Sequence, residues 1–311
     1  MTSEGIGKAS GKIILMGEHS VVYGEPAIAF PFIGTQVIAK VHETDENFLS
    51  SAYHHGLLAT VPVSLINIQQ LTARLQQELQ TSNFHLTIES TIPPERGMGS
   101  SAAVAVAITR AFFDWKKMIL TKDSLLEYVD FAEQIAHGNP SGIDAAATSD
   151  TQPIFFKRDT ERLSFPLNID AYLLVADTGI LGQTRAAVAS VANLFENNPQ
   201  ETKQVMQKLG NLTKKAKQAI MDNQPELLGR LMTLAQAELK ALTVSTPSLD
   251  HYIDLVLSQG ALGAKLTGGG RGGCFLVLTK TREQAEKIAA ILLEENIKNT
   301  WIQGLGVYQY V

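Results

Sequence analysis

The alternation of apolar and polar positions divides the chain into short strand-like runs and longer helical ones. In the first third, Lys12 to Met16 is a compact apolar run, Ala27 to Val41 is a β-rich stretch punctuated by Pro31 and Gly34, and Phe84 to Ile92 alternates as a strand does. Between them, Leu65, Ile68, Leu71, Leu75 and Leu79 recur at helical spacing within Ser64 to Leu79. Pro93-Pro94 stops the strand, a glycine-rich turn follows, and Ala102 to Trp115 is apolar almost all round, which predicts a buried helix. Ser124 with Glu127 three residues on has the pattern of a capping box. It predicts a helix that opens there, runs through Leu125, Tyr128, Val129, Ala132 and Ile135, and stops at Gly138-Asn139-Pro140.

Ile154 to Phe156 and Ala171 to Ala176 read as strands flanking a polar stretch at Lys157 to Arg162, and helical patterns dominate from Thr184 to Leu242. The end of the chain predicts a helix (Ser248 to Ser258), a glycine run (Gly268 to Gly273), a strand (Cys274 to Leu278), a helix (Arg282 to Glu295) and a last strand (Trp301 to Tyr310). The result is an α+β layer sandwich, and a chain of 311 residues suggests two domains, 1–166 and 167–311, with the boundary near Pro166.

Composition narrows the function. With 45% hydrophobic and 18% charged residues the chain has enough apolar surface to build a core, which excludes a disordered or fibrous protein. The net charge of -5, without long runs of one sign, gives no footprint for a polyanion backbone, so nucleic acid is not an expected partner. A single cysteine, Cys274, excludes an internal disulfide and a cysteine pair for zinc and suits a reducing compartment. The apolar runs Ile13 to Met16 and Ala102 to Ile108 fall far short of the roughly 18 residues of a membrane span, and the first is too short for a signal-peptide core. A soluble, cytoplasmic protein without membrane partners is expected.

Three segments carry candidate chemistry. Pro93-Pro94-Glu95-Arg96-Gly97-Met98-Gly99-Ser100-Ser101-Ala102 brings two glycines and two hydroxyls to the start of an apolar helix. Glycine permits positive φ and close backbone approach, and the unpaired amides of a helix start attract an anion, so this turn is a candidate phosphate cradle; a serine there can also reach a metal riding on the phosphates. A plain serine N-cap is the competing reading. No Gly-x-x-x-x-Gly-Lys-Ser/Thr string exists, Gly97-x-Gly99-x-x-Ala102 does not directly follow a strand, and Gly268-x-Gly270-x-x-Gly273 leads into a strand, so neither a P-loop nor a Rossmann fingerprint is supported. In the second segment Asp130, Glu133 and His137 share one helix face, and His137-Gly138-Asn139-Pro140-Ser141-Gly142-Ile143-Asp144 ends a glycine- and proline-bearing loop in a carboxylate suited to a positioned base. By itself Glu133 reads as a solvated helix position. The third is Ala9-Ser10-Gly11-Lys12 and Gly17-Glu18-His19-Ser20-Val21-Val22-Tyr23-Gly24, where spacing leaves open whether Lys12 is a surface charge and His19 a structural histidine.

Together with Lys265-Leu266-Thr267-Gly268-Gly269-Gly270-Arg271-Gly272-Gly273-Cys274, these segments resemble, in order, the three motifs of the GHMP kinases, the kinases of galactose, homoserine, mevalonate and phosphomevalonate. Within that family, Gly17 to Gly24 and His137 to Asp144 are most similar to the branch that phosphorylates mevalonate. The resemblance spans residues 9 to 274 and implies a two-domain fold, an N-terminal ribosomal-protein-S5-like α/β domain followed by a ferredoxin-like α+β domain. It implies that Pro94, Gly97, Met98, Gly99, Ser100, Ser101 and Ala102 bind ATP, that Ser101 and Glu133 hold magnesium, and that Asp144 takes the proton of the primary C5 hydroxyl of mevalonate with Lys12 beside it. Glu18, His19, Gly268 and Gly269 would serve mevalonate, and a homodimer is the family's usual assembly. The alternatives are another small-molecule GHMP kinase, such as one acting on phosphomevalonate, and a noncatalytic ATP-binding sensor, which could lose one of Lys12, Ser101, Glu133 and Asp144 without penalty. Two departures stand out: Ser10 where the family usually has proline, and Gly269 and Arg271 where alanine and glycine are common. Arg271 is either solvated or reaches a substrate carboxylate or phosphate.

Overall fold

The computed structural model describes residues 4–138, 142–150, 152–158 and 160–308. The chain forms two compact units: one drawn from 1–12, 31–93 and 99–151, the other from 13–30, 94–98 and 152–311. Strand β1 (Gly5–Met16) begins in the first unit and ends in the second, and β2 (Ala27–Glu43) does the reverse.

The first unit continues with the hairpin β3 (Phe48–Ser51) and β4 (His54–Leu57), helix α1 (Ile66–Glu78), β5 (Phe84–Ser90), α2 (Ser100–Trp115), α3 (Lys122–His137) and the short α4 (Ile143–Ser149). Its strands lie in the order β4-β3-β5-β2, with β1 paired to β2. β2 and β5 run antiparallel in a register that sets Val41 opposite Leu86 and Ala39 opposite Ile88. Because side chains alternate across a sheet, Val37, Ala39, Val41, Phe84, Leu86 and Ile88 share the buried face. Helix α2 is buried around most of its circumference because α1, α3 and α4 all pack on it. Phe112 meets Phe84 edge-on at 4.9 Å, an anchor whose truncation to alanine costs about 3–5 kcal/mol.

The second unit contains β6 (Ile154–Lys157), β7 (Glu161–Ser164), β8 (Tyr172–Asp177), helices α5 (Thr184–Asn197), α6 (Pro199–Met221), α7 (Pro225–Ala241) and α8 (Pro247–Ser258), then β9 (Gly263–Leu266), β10 (Cys274–Thr279), α9 (Arg282–Glu294) and β11 (Asn299–Gly304). β6 pairs with the start of β2, Ile28 opposite Phe155. The last four strands form an antiparallel sheet in the order β11-β8-β10-β9. With helices after the first and third of them, this is the ferredoxin-like arrangement. Every residue of β8 and β10 is buried, which explains their unbroken apolar runs.

Three expectations need correcting. Helix α3 opens before the Ser124–Glu127 pattern, because Thr121 is the cap: its hydroxyl accepts the amide of Ser124 at 3.2 Å, while Glu127 pairs with Arg74. β2 continues through Pro31 and Gly34, since the proline falls after the pairing with β6 ends at Ala29 and before the pairing with β5 begins at Val37. The helical patterns expected from Thr184 to Leu242 are borne out as three helices, the second and third each opening on a proline, where a missing N–H costs nothing. The final strand ends at Gly304, before a turn of 3-10 helix at Gly306–Tyr308, and the predicted end at Tyr310 lies outside the described residues.

Candidate active site

In the first unit, Lys12 is 2% exposed, and a cation so buried requires a counter-charge. Asp144 supplies it at 2.9 Å from Nζ, from the first turn of α4, while remaining 35% exposed itself. The pair therefore has one sealed member and one open one. Gly142 enters α4 at φ 79°, and Asn139, Pro140 and Ser141 of the preceding loop lie outside the described residues.

Gly99, at φ 68°, is the N-cap of α2, and a Cβ there would stand 2.7 Å from Cγ of Lys12. Only glycine satisfies both that backbone angle and that approach. Ser100 and Ser101 fall inside the first turn and no side chain caps the helix, so the N-cap reading of these serines is not what forms. Ser101 instead accepts a 3.5 Å contact from the Asn67 amide. On α3, Glu133 is 3% exposed, and burial pushes its pKa up to about 7; the Ser101 hydroxyl and Lys12 oppose that rise, and Asp144 and Asp130 add to it. Its Oε1 has no hydrogen-bond partner, and Oε2 lies 3.7 Å from the His137 ring. The solvated-face reading of Glu133 is therefore replaced by a buried, half-satisfied carboxyl.

A buried carboxyl with an orphaned oxygen, close to a serine hydroxyl, suits a hard divalent cation, which would take the place of the proton that burial otherwise favours. Among the described residues no group of three or more His, Cys, Asp or Glu is placed to hold a metal. One carboxylate and one hydroxyl leave the other positions to phosphate oxygens and water, the ligand set that magnesium accepts.

The second unit holds the rest of the predicted residues. In the turn 94–98, Gly97 adopts φ 79°, and a Cβ on it would come within 3.2 Å of the Thr267 carbonyl, so the turn packs directly on the glycine run. Met98 is buried, as is Ala102 of α2 in the first unit; both can contribute only backbone groups to a ligand, and Pro94 has no N–H to offer. Glu18 and Lys265, 1% and 0% exposed, form a sealed ion pair, and Lys265 also donates to the Leu266 carbonyl at 2.6 Å. Burial pulls the Lys265 pKa down and Glu18 opposes that shift. His19 sits at φ 60°, with Nε2 3.0 Å from the Gly269 carbonyl. A carbonyl only accepts, so Nε2 carries the proton. Burial, with Lys265 and Arg271 adding to it, drives the His19 pKa down to about 4 against the pull of that hydrogen bond. The ring is neutral and Nδ1 bears the lone pair. Gly269 lies against α5, where a Cβ would be 2.4 Å from the Thr184 hydroxyl, and Gly268 against Gly97. Arg271 donates through Nε to the Thr243 carbonyl at 3.2 Å.

The structure thus brings Lys12 to Asp144 and sets Ser101 near Glu133, and in the other unit it joins His19 to Gly269 and Gly97 to Gly268. Sequence reasoning gave no role to Lys265, Arg96 or Asp177. A lysine inside the apolar run of β9 is the signal that could have exposed the first, since lysine is rarely buried without a partner.

A glycine-bearing turn ahead of an apolar helix, a lysine–aspartate pair open on one side and a buried carboxyl beside a helix-start serine suit phosphoryl transfer to a small molecule. The chain belongs to the GHMP kinases: the family's N terminal domain matches residues 67–150 and its C terminal domain residues 216–299. Within the family it is similar to several mevalonate kinases. That of Pyrococcus furiosus is 33% identical over 313 aligned positions, covering 91% of this chain and 92% of its own. Among solved structures, mevalonate kinase from methicillin-resistant Staphylococcus aureus is 34% identical, with a TM-score of 0.75 over 98% of this chain and 99% of its own. The L. major mevalonate kinase in complex with R-mevalonate is 26% identical, with a TM-score of 0.82 over 97% and 95%. No helix among the described residues is long and apolar enough to cross a membrane.

Proposed function

We infer that this chain transfers the γ-phosphoryl group of ATP to the C5 hydroxyl of mevalonate, giving 5-phosphomevalonate for isoprenoid synthesis. The observation that carries the mechanism is the Lys12–Asp144 pair, in which the lysine is sealed and the carboxylate is open. Asp144 accepts the proton of the hydroxyl as its oxygen attacks phosphorus, and Lys12 offsets the negative charge developing on that oxygen. Phosphoryl transfer needs positioning and charge neutralisation more than covalent help, and the remaining residues supply these. The backbone of Gly97, Met98, Gly99, Ser100, Ser101 and Ala102, entered from Pro94, wraps the ATP phosphates. Ser101 and Glu133 would hold magnesium, which when bound neutralises phosphate charge. For mevalonate, neutral His19 has acceptor capacity at Nδ1, its chain neighbour Glu18 is fixed by Lys265, and Gly268 and Gly269 form the surrounding backbone. The family supports a homodimer, and the lone buried cysteine supports a cytoplasmic setting.

The test is ADP release measured with mevalonate, phosphomevalonate, homoserine and galactose in turn. Turnover with mevalonate exceeding the others by orders of magnitude is expected; equal or greater turnover with any of the other three overturns the assignment, and none with all four makes the chain a sensor.

A further inference from the structure

The turn 94–98 of the second unit is held by more than its backbone. Arg96, the residue before Gly97, is 7% exposed, and its Nε stands 2.8 Å from Oδ1 of Asp177, itself 1% exposed, as an ion pair outside hydrogen-bond geometry. Nη2 donates to the Gly179 carbonyl at 3.0 Å, and the Gly179 amide donates to the same Asp177 oxygen at 2.9 Å. One guanidinium and one carboxylate thus clamp the first residues after β8. The backbone on either side is tied as well: Glu95 accepts from the Gly182 amide at 2.9 Å, and Arg96 accepts from the Cys274 amide at 3.3 Å. Thr178 closes the set by donating its hydroxyl to the Gly273 carbonyl at 2.8 Å. Three loops, 94–98, 177–182 and 268–274, converge on this buried pair.

Such an arrangement is expensive for mere stability. A buried ion pair loses the hydration of both charges, and apolar residues of similar volume often serve as well or better. What the guanidinium provides and an apolar side chain cannot is a two-point tie, a charge contact to the Asp177 carboxylate and a directional hydrogen bond from Nη2 to the Gly179 carbonyl. That tie ends one residue from Gly97, whose φ of 79° depends on where its neighbour is held. We propose that Arg96 and Asp177 are the positioning pair of the ATP phosphate turn, acting through Gly97 without touching the nucleotide. This rests on the reading that residues 97–102 bind the ATP phosphates.

The test separates affinity for ATP from stability. Arg96→Lys keeps the charge but cannot reach Asp177 and Gly179 together. It should raise the KM for ATP about tenfold or more while the KM for mevalonate stays within about twofold. The double variant Arg96→Met/Asp177→Leu removes both charges; it should melt near the wild-type temperature yet keep the raised KM for ATP. Gly97→Ala, strained at positive φ, reports on the turn itself and should also weaken ATP. If Gly97→Ala weakens ATP but Arg96→Lys and the double variant leave its KM within about twofold, the positioning role is overturned and the phosphate-turn reading stands. If all three leave it unchanged, that reading falls and takes the proposal with it. Parallel rises in both Michaelis constants would mark a general disturbance of the fold and also overturn the proposal.

Discussion

Two lysine–carboxylate pairs, one in each unit, share their chemistry and differ in access. Lys12–Asp144 leaves its carboxylate 35% exposed, whereas Lys265–Glu18 is closed on both sides, at 0% and 1%. A carboxylate that water can reach is open to a substrate hydroxyl as well, which is what the proposed proton transfer to Asp144 requires. The sealed pair balances charge and fixes the chain around His19. On the proposed mechanism, two lysine–carboxylate pairs therefore divide into a chemical pair and a scaffolding pair, and burial makes the division.

The sharpest way to break that comparison is to change the open carboxylate. Asp144→Asn should lower the turnover number by about 10² to 10⁴, with the KM for ATP nearly unchanged in steady-state kinetics. Lys12→Met should act in the same direction, and the double variant should lose less than the product of the two losses, because groups acting as one unit are not additive. Clean multiplication would show that the pair is not one catalytic unit.

At the sealed pair the larger effect should appear in stability. Lys265→Met removes the buried counter-charge of Glu18, a loss of about 3–5 kcal/mol in denaturant unfolding, and adding Glu18→Gln should recover much of it. Lys12→Met should destabilise less, since its partner faces solvent. Equal losses from the two lysines would erase the distinction.

Glu133 sharpens the comparison through pH. Its folded pKa, raised by burial to about 7, exceeds the ordinary carboxyl value of 4.5. The ionised form is therefore disfavoured on folding: the cost is absent below about pH 4.5, grows between there and about pH 7, and is complete above. In metal-free protein, Glu133→Gln should raise the melting temperature at pH 8, by at most about 3 kcal/mol of stability, and not at pH 4. On the proposal that Glu133 holds magnesium, the metal must displace the proton, so its apparent affinity in the wild type should fall as pH drops through about 7, and Glu133→Gln should flatten that dependence. An identical magnesium requirement in the variant at every pH would exclude Glu133 from the metal.

The smallest effect belongs to Arg271. Its side chain is spent on the Thr243 carbonyl, and its φ of 56° suits glycine better than arginine. Arg271→Gly should change turnover and both Michaelis constants by less than about tenfold, under about 1.4 kcal/mol. A large rise in the KM for mevalonate alone would place the guanidinium on the substrate carboxylate.

Much of this fold is written in local periodicity: α2, β8, β10 and α9 are predictable because each is a single apolar stripe or run. The β3–β4 hairpin and α4 are not, since four-residue strands such as His54–Leu57 and a helix of seven residues are too short for a period to emerge. The start of α3 is ambiguous in sequence because Ser124 with Glu127 and Thr121 with Ser124 are both acceptable caps locally, and only the pull of Arg74 on Glu127 distinguishes them. At the site, the residue types are legible and the pairings are not. Lys12 and Asp144 lie 132 positions apart, and no local pattern says that Glu133 faces inward.

One bond in the second unit bears on how the protein is made. Thr267 receives the Ile14 amide at 3.2 Å and returns its hydroxyl to the Ile14 carbonyl at 2.9 Å, across 253 residues of chain. Synthesis at roughly 5–20 residues per second would leave the apolar segment Ile13 to Met16 waiting on the order of 10–50 s for this partner. During that interval a run that ends buried has nothing of its own unit's last sheet to cover it.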